Sequence, residues 1–332
     1  MGVIRRVLPD SQRRSLSELT EDLDLTEGDS VSKRSAFWTM LTLSALIASA
    51  GVLSDSTATV IGAMIIAPLS TPIMCIALSI AKQEPGGAAR AGRFVFGGAV
   101  LVVAIGMAFA FVIPDTFDLL GNSQISGRTS PGLGDLVAAV ATGFAGAIAL
   151  ARRDVAAVLP GVAIAISLVP PLAVVGVCLG QGALGLAIGA LVLFLSNLIA
   201  LVLAGTLVFA ALGAKAPGRP TGGPRRRAYL TISILLVVVG IPLVINTVGN
   251  YVVSVLIGRA QTAAQQWISG TPGGQIQSVD FVANELHIQV QVPTELPATG
   301  PLLQTLSDQL PSGIPVIVNS SLGSSIEAGQ TQ

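Results

Sequence analysis

Seven long apolar segments constrain this chain more than any other feature of its sequence. A helix needs about 20 mostly apolar residues to cross the hydrocarbon core of a bilayer. Hydrophobic residues make up 52% of the 332 residues and charged residues only 11%, whereas soluble domains carry roughly a quarter charged residues. We therefore predict an all-α polytopic membrane protein and not a soluble enzyme. The predicted spans are 36–54, 56–81, 93–113, 134–151, 155–178, 183–212 and 228–257.

The distribution of Lys and Arg predicts the orientation of these spans. If all seven cross, 16 of the 18 basic residues fall on one side, and only Arg128 and Arg259 fall on the other. Basic residues are enriched in the cytoplasmic loops of membrane proteins. We therefore expect a multi-pass protein of the cell (plasma) membrane with its N-terminus in the cytoplasm and its C-terminus outside.

Composition divides the chain into six parts. The N-terminal part contains a predicted amphipathic helix that starts with capping-box spacing at Ser15 and Glu18, and we expect it to lie on the membrane surface or on the helix bundle. The fourth span is rich in Gly and Ala and is predicted to be buried. The parts are a cytoplasmic N-terminal segment 1–35, membrane repeat 1 at 36–113, membrane repeat 2 at 134–212, a cytoplasmic linker 213–227, a seventh transmembrane helix 228–257 and an external domain 258–332.

The last 75 residues are polar and predict a small extramembrane α/β domain of order αββαβ. Alternating apolar residues indicate its strands. A domain of this size buries a modest core, so we expect it to pack on the bundle or on sister copies, and we expect a homo-oligomer. The predicted elements are a helix 258–270, strands 276–283 and 285–292, a helix 298–310 and a strand 314–319.

An internal repeat relates two groups of three spans. Residues 55–73 align without gaps on residues 154–172, an offset of 99 residues that pairs an Asp, a Gly and a Pro with identical residues. Because each group has an odd number of spans, the second group enters the membrane from the opposite side. This predicts a 3+3 inverted repeat, an arrangement typical of secondary transporters whose sites lie on broken helices near the midplane.

Prolines interrupt the second and fifth spans at matching positions and matching depth. Proline removes a backbone donor and leaves groups that hydrocarbon cannot satisfy, so a water-lined path or a solute could satisfy them. Alternatively, the kinks are structural, and neighbouring helices and hydroxyl groups satisfy the backbone. The candidate path residues are Gly62, Pro68, Ser70, Thr71 and Pro72 in the first break, Gly161, Ser167, Pro170 and Pro171 in the second, and Asn197 in the sixth span.

Few residues of this chain are suited to catalysis or metal binding. It has one histidine, His287, and two cysteines, Cys75 and Cys178, both inside apolar segments. We therefore expect no catalytic residue, no metal site and no cofactor, and the zero net charge argues against a nucleic acid partner. Asp55 and Asp154 precede their predicted helices, where a carboxylate either gates a path or stabilises a helix dipole.

Residues 60–73, VIGAMIIAPLSTPI, resemble the bacterial and archaeal membrane family known as domain of unknown function 389. The hallmark of that family is Gly-Ala-Met, an apolar pair and Ala-Pro-Leu, which Gly62 to Leu69 match, and Pro72 and the second-repeat pair Pro170-Pro171 fit as well. The resemblance extends over roughly 36–212. It implies an integral membrane protein and carries no established activity.

Two functions are compatible with these features. The first is a transport protein, either a channel or a carrier, with its site between the broken helices. No charged residue lies at the centre of any span, which favours a small ion or a neutral or anionic solute over a proton relay. The alternative is a membrane-anchored sensor or assembly scaffold that uses the external domain. A membrane enzyme fits least. The partners expected are the lipid bilayer and a small solute or ion.

Overall fold

A computed structural model describes most of the chain. The described residues are 9–112, 117–155, 168–213, 255–282, 285–292, 296–311 and 313–322, with isolated residues between 237 and 252. The chain forms two compact units, Met1–Asn246 and Thr247–Gln332.

The first unit is mainly helical in its described parts. It opens with a short 3-10 turn at Asp10–Gln12, and the predicted cap of the next helix is confirmed because the Ser15 side chain accepts a hydrogen bond from the Glu18 amide. The helices are α1 (Leu16–Leu23), α2 (Ser30–Leu53), α3 (Thr57–Ile66), α4 (Ser70–Lys82), α5 (Pro85–Ala110), α6 (Ser123–Thr129), α7 (Leu133–Ala151), α8 (Val169–Gly180) and α9 (Leu184–Gly213).

Among the described residues, four helices are long and apolar enough to cross a membrane, namely α2, α5, α7 and α9. The number of crossings rises to five if α3 and α4 count as one broken span, which bends by 49° at the break. Of the predicted fifth span, only α8 is described, and the first half lies outside the described residues. Most of the predicted seventh span and the linker 213–227 lie outside them too, so the count of seven stays a prediction.

The fourth span differs from its prediction as a buried helix. In α7 one face is buried, with Ala139, Gly143 and Ala147 toward the bundle, while Ala138 and Ala141 are exposed. The small residues of the buried face allow α9 to approach closely, because a Cβ atom built on Gly143 would lie 3.2 Å from the Ala200 carbonyl oxygen. Small residues therefore lie on both the buried and the exposed sides of α7, whereas only the buried side packs closely on another helix.

Helices of the two predicted repeats pack against each other. Between the repeats, the most extensive contacts join α5 to α8 and α4 to α9, and within repeat 2 α7 packs extensively on α9. One large buried cluster includes Leu41 of α2, Leu69 and Met74 next to and within α4, Leu172 of α8 and Phe209 of α9. The core of the first unit therefore contains residues of both predicted repeats, which pack within themselves and against each other.

The second unit contains the predicted helices and strands. A helix at 255–268 precedes β1 (Gln275–Val282), β2 (Glu285–Val292), α10 (Gly300–Gln309) and β3 (Val316–Leu322). The sheet has the order β1-β2-β3, with β1 antiparallel and β3 parallel to the central β2. Alternate residues of β2, among them Leu286, Ile288 and Val290, are fully buried in one cluster with both helices.

Candidate functional site

The first broken helix ends and restarts where Pro68 interrupts the second predicted span. Helix α3 ends at Ile66, Ala67 has extended backbone angles, and α4 begins at Ser70. Pro68 has no N–H, so the carbonyl of Met64 lacks its usual helical donor. The Thr71 amide donates to the Pro68 carbonyl oxygen at 3.2 Å and closes a tight turn. The predicted departure from helical hydrogen bonding is thus confirmed here.

The path residues at this break differ in burial. Pro72 is buried, whereas Gly62, Pro68, Ser70 and Thr71 are half-buried. A Cβ atom built on Gly62 would meet no atom within 4 Å, so space remains beside this part of α3. The side chains of the break therefore present both polar and apolar atoms along one short segment.

The second break is described only from its far side. Gly161 and Ser167 lie outside the described residues. Helix α8 begins at Val169 and carries Pro170 and Pro171, both buried, in its first turn. Amides in the first turn have no intrahelical acceptor, so prolines fit there without loss of a hydrogen bond.

Helices α4 and α8 start in the same way. The third residue of each is a proline, Pro72 in α4 and Pro171 in α8, and these positions are 99 residues apart. Neither the Leu69 nor the Leu168 side chain caps the helix that follows it. The first amides, those of Ser70 and Val169, therefore need another hydrogen-bond acceptor. Inside a bilayer, an amide without an acceptor destabilises the protein by roughly several kcal/mol.

Polar side chains of the neighbouring helices bond either to the broken helix or to their own helix. Ser44 of α2 is fully buried, and its hydroxyl donates to the Ala63 carbonyl oxygen of α3 at 2.8 Å. Sequence reasoning missed this contact, which satisfies one carbonyl of the broken helix. Ser196 of α9 donates to its own helix at the Val192 carbonyl oxygen, the structural alternative for such hydroxyls. Its neighbour Asn197, a candidate path residue, is buried with 8% exposure.

Glycines let α5 cross α8 at very short range. A Cβ atom built on Gly106 would lie 2.5 Å from the Ala173 carbonyl oxygen, and one built on Gly176 would lie 2.3 Å from the Val103 carbonyl oxygen. Real Cβ atoms do not approach backbone so closely, so these two positions require glycine. The crossing holds α8 directly against α5.

A similar crossing joins α9 to α4. A Cβ atom built on Gly205 would lie 2.8 Å from the Ala77 Cβ atom and 3.0 Å from the Met74 sulfur. Next to it, the Thr206 hydroxyl lies 3.4 Å from the Ala77 carbonyl oxygen. Gly106 and Gly205 are 99 residues apart, so the two crossings use glycines at equivalent positions of the two predicted repeats.

Asp55 does not cap its own helix, contrary to the simplest interpretation of its position. Ser56 caps α3, since its hydroxyl accepts from the Thr59 amide. Asp55 has a φ of 50° and accepts hydrogen bonds from the Ser123 hydroxyl at 2.7 Å and the Gln124 amide at 3.1 Å. The hydrogen bond from Ser123 is the main cause that lowers the pKa of Asp55 below its usual value. The carboxylate thus stabilises the start of α6, a helix that the sequence analysis did not predict.

Asp154 occupies the equivalent position of the second repeat but has another partner. Its carboxylate forms a two-point ion pair with Arg152, at 2.9 and 2.5 Å, and is exposed. The hydrogen bond from Arg152 lowers the pKa of Asp154. The two aspartates therefore hold unlike local structures, and neither lies beside a proline break.

The described part of the chain contains no group of three His, Cys, Asp or Glu residues that could hold a metal ion. Cys75 and Cys178 are both free and buried.

Comparison with known proteins connects these broken helices to one family. Residues 64–203 match the family model described as Domain of unknown function (DUF389). An uncharacterized protein of the archaeon Methanocaldococcus jannaschii is 34% identical over 197 residues, which cover 59% of this chain and 60% of that relative. No solved structure matches. The matched residues contain both proline segments, and the match confirms the resemblance to this family seen at residues 60–73.

Proposed function

We propose that this chain is a multi-pass membrane transport protein that passes a small ion or a neutral or anionic solute between its two broken helices. The observation that carries the proposal is the matched start of α4 and α8. Both begin inside apolar segments without a side-chain cap, and both have proline at the third residue. Helix N-termini present free amides and a partial positive charge, which favour electron-rich solute groups.

The contacts between the repeats support an inverted arrangement. Gly106 contacts positions 173 and 176 of α8. Gly205, which lies 99 residues after Gly106, contacts positions 74 and 77 of α4. These two positions lie 99 residues before positions 173 and 176. A pseudo-two-fold axis that exchanges the repeats produces this reciprocity, because each repeat then offers the other the same surface. With three spans in each repeat, we infer that the axis lies in the membrane plane.

Flux measurements on the purified full-length chain in liposomes test transport. We expect flux of a small anion or a small neutral solute above that of protein-free liposomes. Pro68→Ala and Pro171→Ala should each change this flux by about tenfold or more, because added amides and extended helices alter the groups at the break. The matched control is Pro85→Ala, which replaces an exposed proline at the first position of α5.

Flux at the protein-free level for cations, anions and neutral solutes alike would contradict transport. The chain would then fit the alternative, a membrane-anchored sensor or scaffold that works through its C-terminal unit. Equal effects of Pro85→Ala and Pro68→Ala would also remove the special role of the breaks.

The proposed orientation places the N-terminus in the cytoplasm and the C-terminal unit outside. We expect single cysteines at Ser32 and Ser320, in a background with Cys75→Ala and Cys178→Ala, to react with an impermeant thiol reagent from opposite sides of sealed vesicles. Both positions are exposed, so neither needs unfolding to react. Reaction of both from one side would contradict an odd number of spans.

A further inference from the structure

The N-terminal segment 9–26, here called the N-terminal strap, lies across one end of the helix bundle. This end, here called the basic end, includes Lys82 at the end of α4, Arg90 near the start of α5, and Arg152 and Arg153 just after α7. The strap consists of the 3-10 turn, helix α1 and the turn that follows α1. The leucines of α1 that face the bundle, Leu19 and Leu23, are 0% and 4% exposed. The strap is therefore docked on the protein and not extended into solvent.

On one side the strap is joined to the second predicted repeat. The Arg14 amide donates to the Ala151 carbonyl oxygen at 3.0 Å, and the Arg153 amide donates to the Gln12 carbonyl oxygen at 2.9 Å. These bonds flank an antiparallel bridge between Arg13 and Arg152. The Arg153 guanidinium also donates to the Glu18 carboxylate at 2.7 Å.

On the other side the strap is joined to the first predicted repeat. Asp24 is 5% exposed and accepts from the Arg90 guanidinium of α5 at 3.1 Å. Lys82 at the end of α4 donates to the Thr20 hydroxyl at 3.1 Å. Leu19 and Leu23 share one buried cluster with Leu78 of α4. The strap thus bridges the two repeats, which otherwise meet through helix crossings deeper in the bundle.

The charges of the strap and of the basic end are complementary. Helix α1 and its flanking turn carry Glu18, Glu21, Asp22 and Asp24, of which Glu18 pairs with Arg153 and Asp24 pairs with Arg90 of the bundle. The pair of Arg153 and Glu18 is about half exposed, so it adds little. Asp24 is the buried anchor: burial raises its pKa, but hydrogen bonds from Thr26 and from Arg90 outweigh this and leave the pKa lowered.

We propose that the N-terminal strap is a latch that closes the basic end of the bundle and ties the two predicted repeats together. Release of Asp24 from Arg90 frees the strap from α4 and α5 and opens this end. The proposal rests on the proposed transport function for its effect on flux, since transport through a two-repeat bundle requires the repeats to separate at each end in turn. The closing of the basic end itself can be measured without any flux.

Native Cys75 reports whether the basic end is covered. It is 2% exposed and belongs to the same buried cluster as Leu19 and Leu23. It also interacts electrostatically with Asp24 and Arg90. Cys178 is fully buried in a different cluster and serves as an internal reference. In the full-length protein in lipid nanodiscs, Asp24→Asn should raise the rate of Cys75 labelling by about tenfold, as expected when a hydrogen bond between charged groups is lost, and leave Cys178 unchanged.

Two further variants make this test selective. Glu84→Gln removes a carboxylate at the same end that pairs with Lys82 and, among the described residues, has no hydrogen bond or ion pair with the strap, so it should leave the Cys75 rate unchanged. The charge exchange Asp24→Arg with Arg90→Asp should restore protection. The proposal is overturned if Cys75 reacts equally fast in wild type and Asp24→Asn, if Glu84→Gln has the same effect, or if Cys178 becomes equally reactive and the charge exchange restores neither thiol.

A disulfide lock separates the latch from the transport function. Arg13 and Arg152 form a non-hydrogen-bonded antiparallel pair, whose Cα atoms lie about 4.5 Å apart and permit a disulfide. In a background with Cys75→Ala and Cys178→Ala, Arg13→Cys with Arg152→Cys should stop flux when oxidised and restore it when reduced. Equal flux in both states overturns the latch. If no variant conducts in either state, the transport function fails, while the Cys75 rates still decide whether the strap closes the basic end.

Discussion

Gly176→Val is expected to lower the free energy of unfolding of the helix bundle by about 3 kcal/mol, because overpacking at this position meets the backbone of α5. A Cβ atom at Gly176 would lie 2.3 Å from the Val103 carbonyl oxygen and 2.8 Å from the Met107 amide. Neither group can turn aside as a flexible side chain would, so α8 must move away from α5. Unfolding of the purified protein by a denaturing detergent, followed by fluorescence, measures the change.

Gly92→Ala provides the matched control on the same crossing helix. A Cβ atom there would meet no atom within 4 Å, so the substitution should leave stability unchanged or raise it by up to about 1 kcal/mol through better helix propensity. A loss of stability as large in Gly92→Ala as in Gly176→Val would contradict the close crossing of α5 and α8. Normal stability of Gly176→Val would contradict it directly.

Ile288→Ala is expected to cost the C-terminal unit about 2–5 kcal/mol, the usual range for emptying a core position. Ile288 lies on the central strand β2, is 0% exposed, and pairs through the backbone with both neighbouring strands. A unit of this size has little stability to lose, so most molecules should then be open to protease in this region of the full-length chain. Limited proteolysis, with fragments identified by mass, measures the change.

Ile317→Ala tests whether the effect depends on burial. Ile317 on β3 is 37% exposed and pairs with His287, so it lies on the opposite face of the sheet from Ile288. We expect a change within about 0.5 kcal/mol and unaltered proteolysis. Similar cleavage of both variants would mean that the helices do not cover the face that includes Ile288.

Hydropathy predicted where the apolar segments lie but not where the helices begin. Helix α2 begins at Ser30 and α5 at Pro85, six and eight residues before the predicted spans. The added turns contain basic residues such as Lys33 and Arg90, which lower hydropathy yet favour helix well enough. Helix ends are set by caps such as Asp29, whose side chain accepts from the Ser32 amide.

Other features had a signal too weak to use or none at all. Helix α6 has seven residues, of which Ile125 is the one large apolar residue, so it shows no apolar periodicity, and only Asn122, whose side chain accepts from two amides of its first turn, marks its start. The Gly106 and Gly205 pair was present at the offset of 99, but the chain has 37 glycines, so a single glycine match carries little weight. The prolines were informative because their backbone chemistry excludes a continuous helix, and α3 and α4 separate at Pro68 as that chemistry requires.

The reciprocal glycine crossings also bear on how the chain is made. Helix α4 packs on Gly205 of α9, whereas α8 packs on Gly106 of α5, so each of these helices buries one face only against a helix of the other repeat. A ribosome adding about 5–20 residues per second needs roughly 6–25 seconds to extend the nascent chain from Lys82 to Gly205. During that interval α4 can pack on α1 and α5, but the face that later contacts α9 must be covered by lipid or by the insertion machinery. A chain truncated after the first repeat should therefore be degraded by cellular proteases and should not accumulate in the membrane.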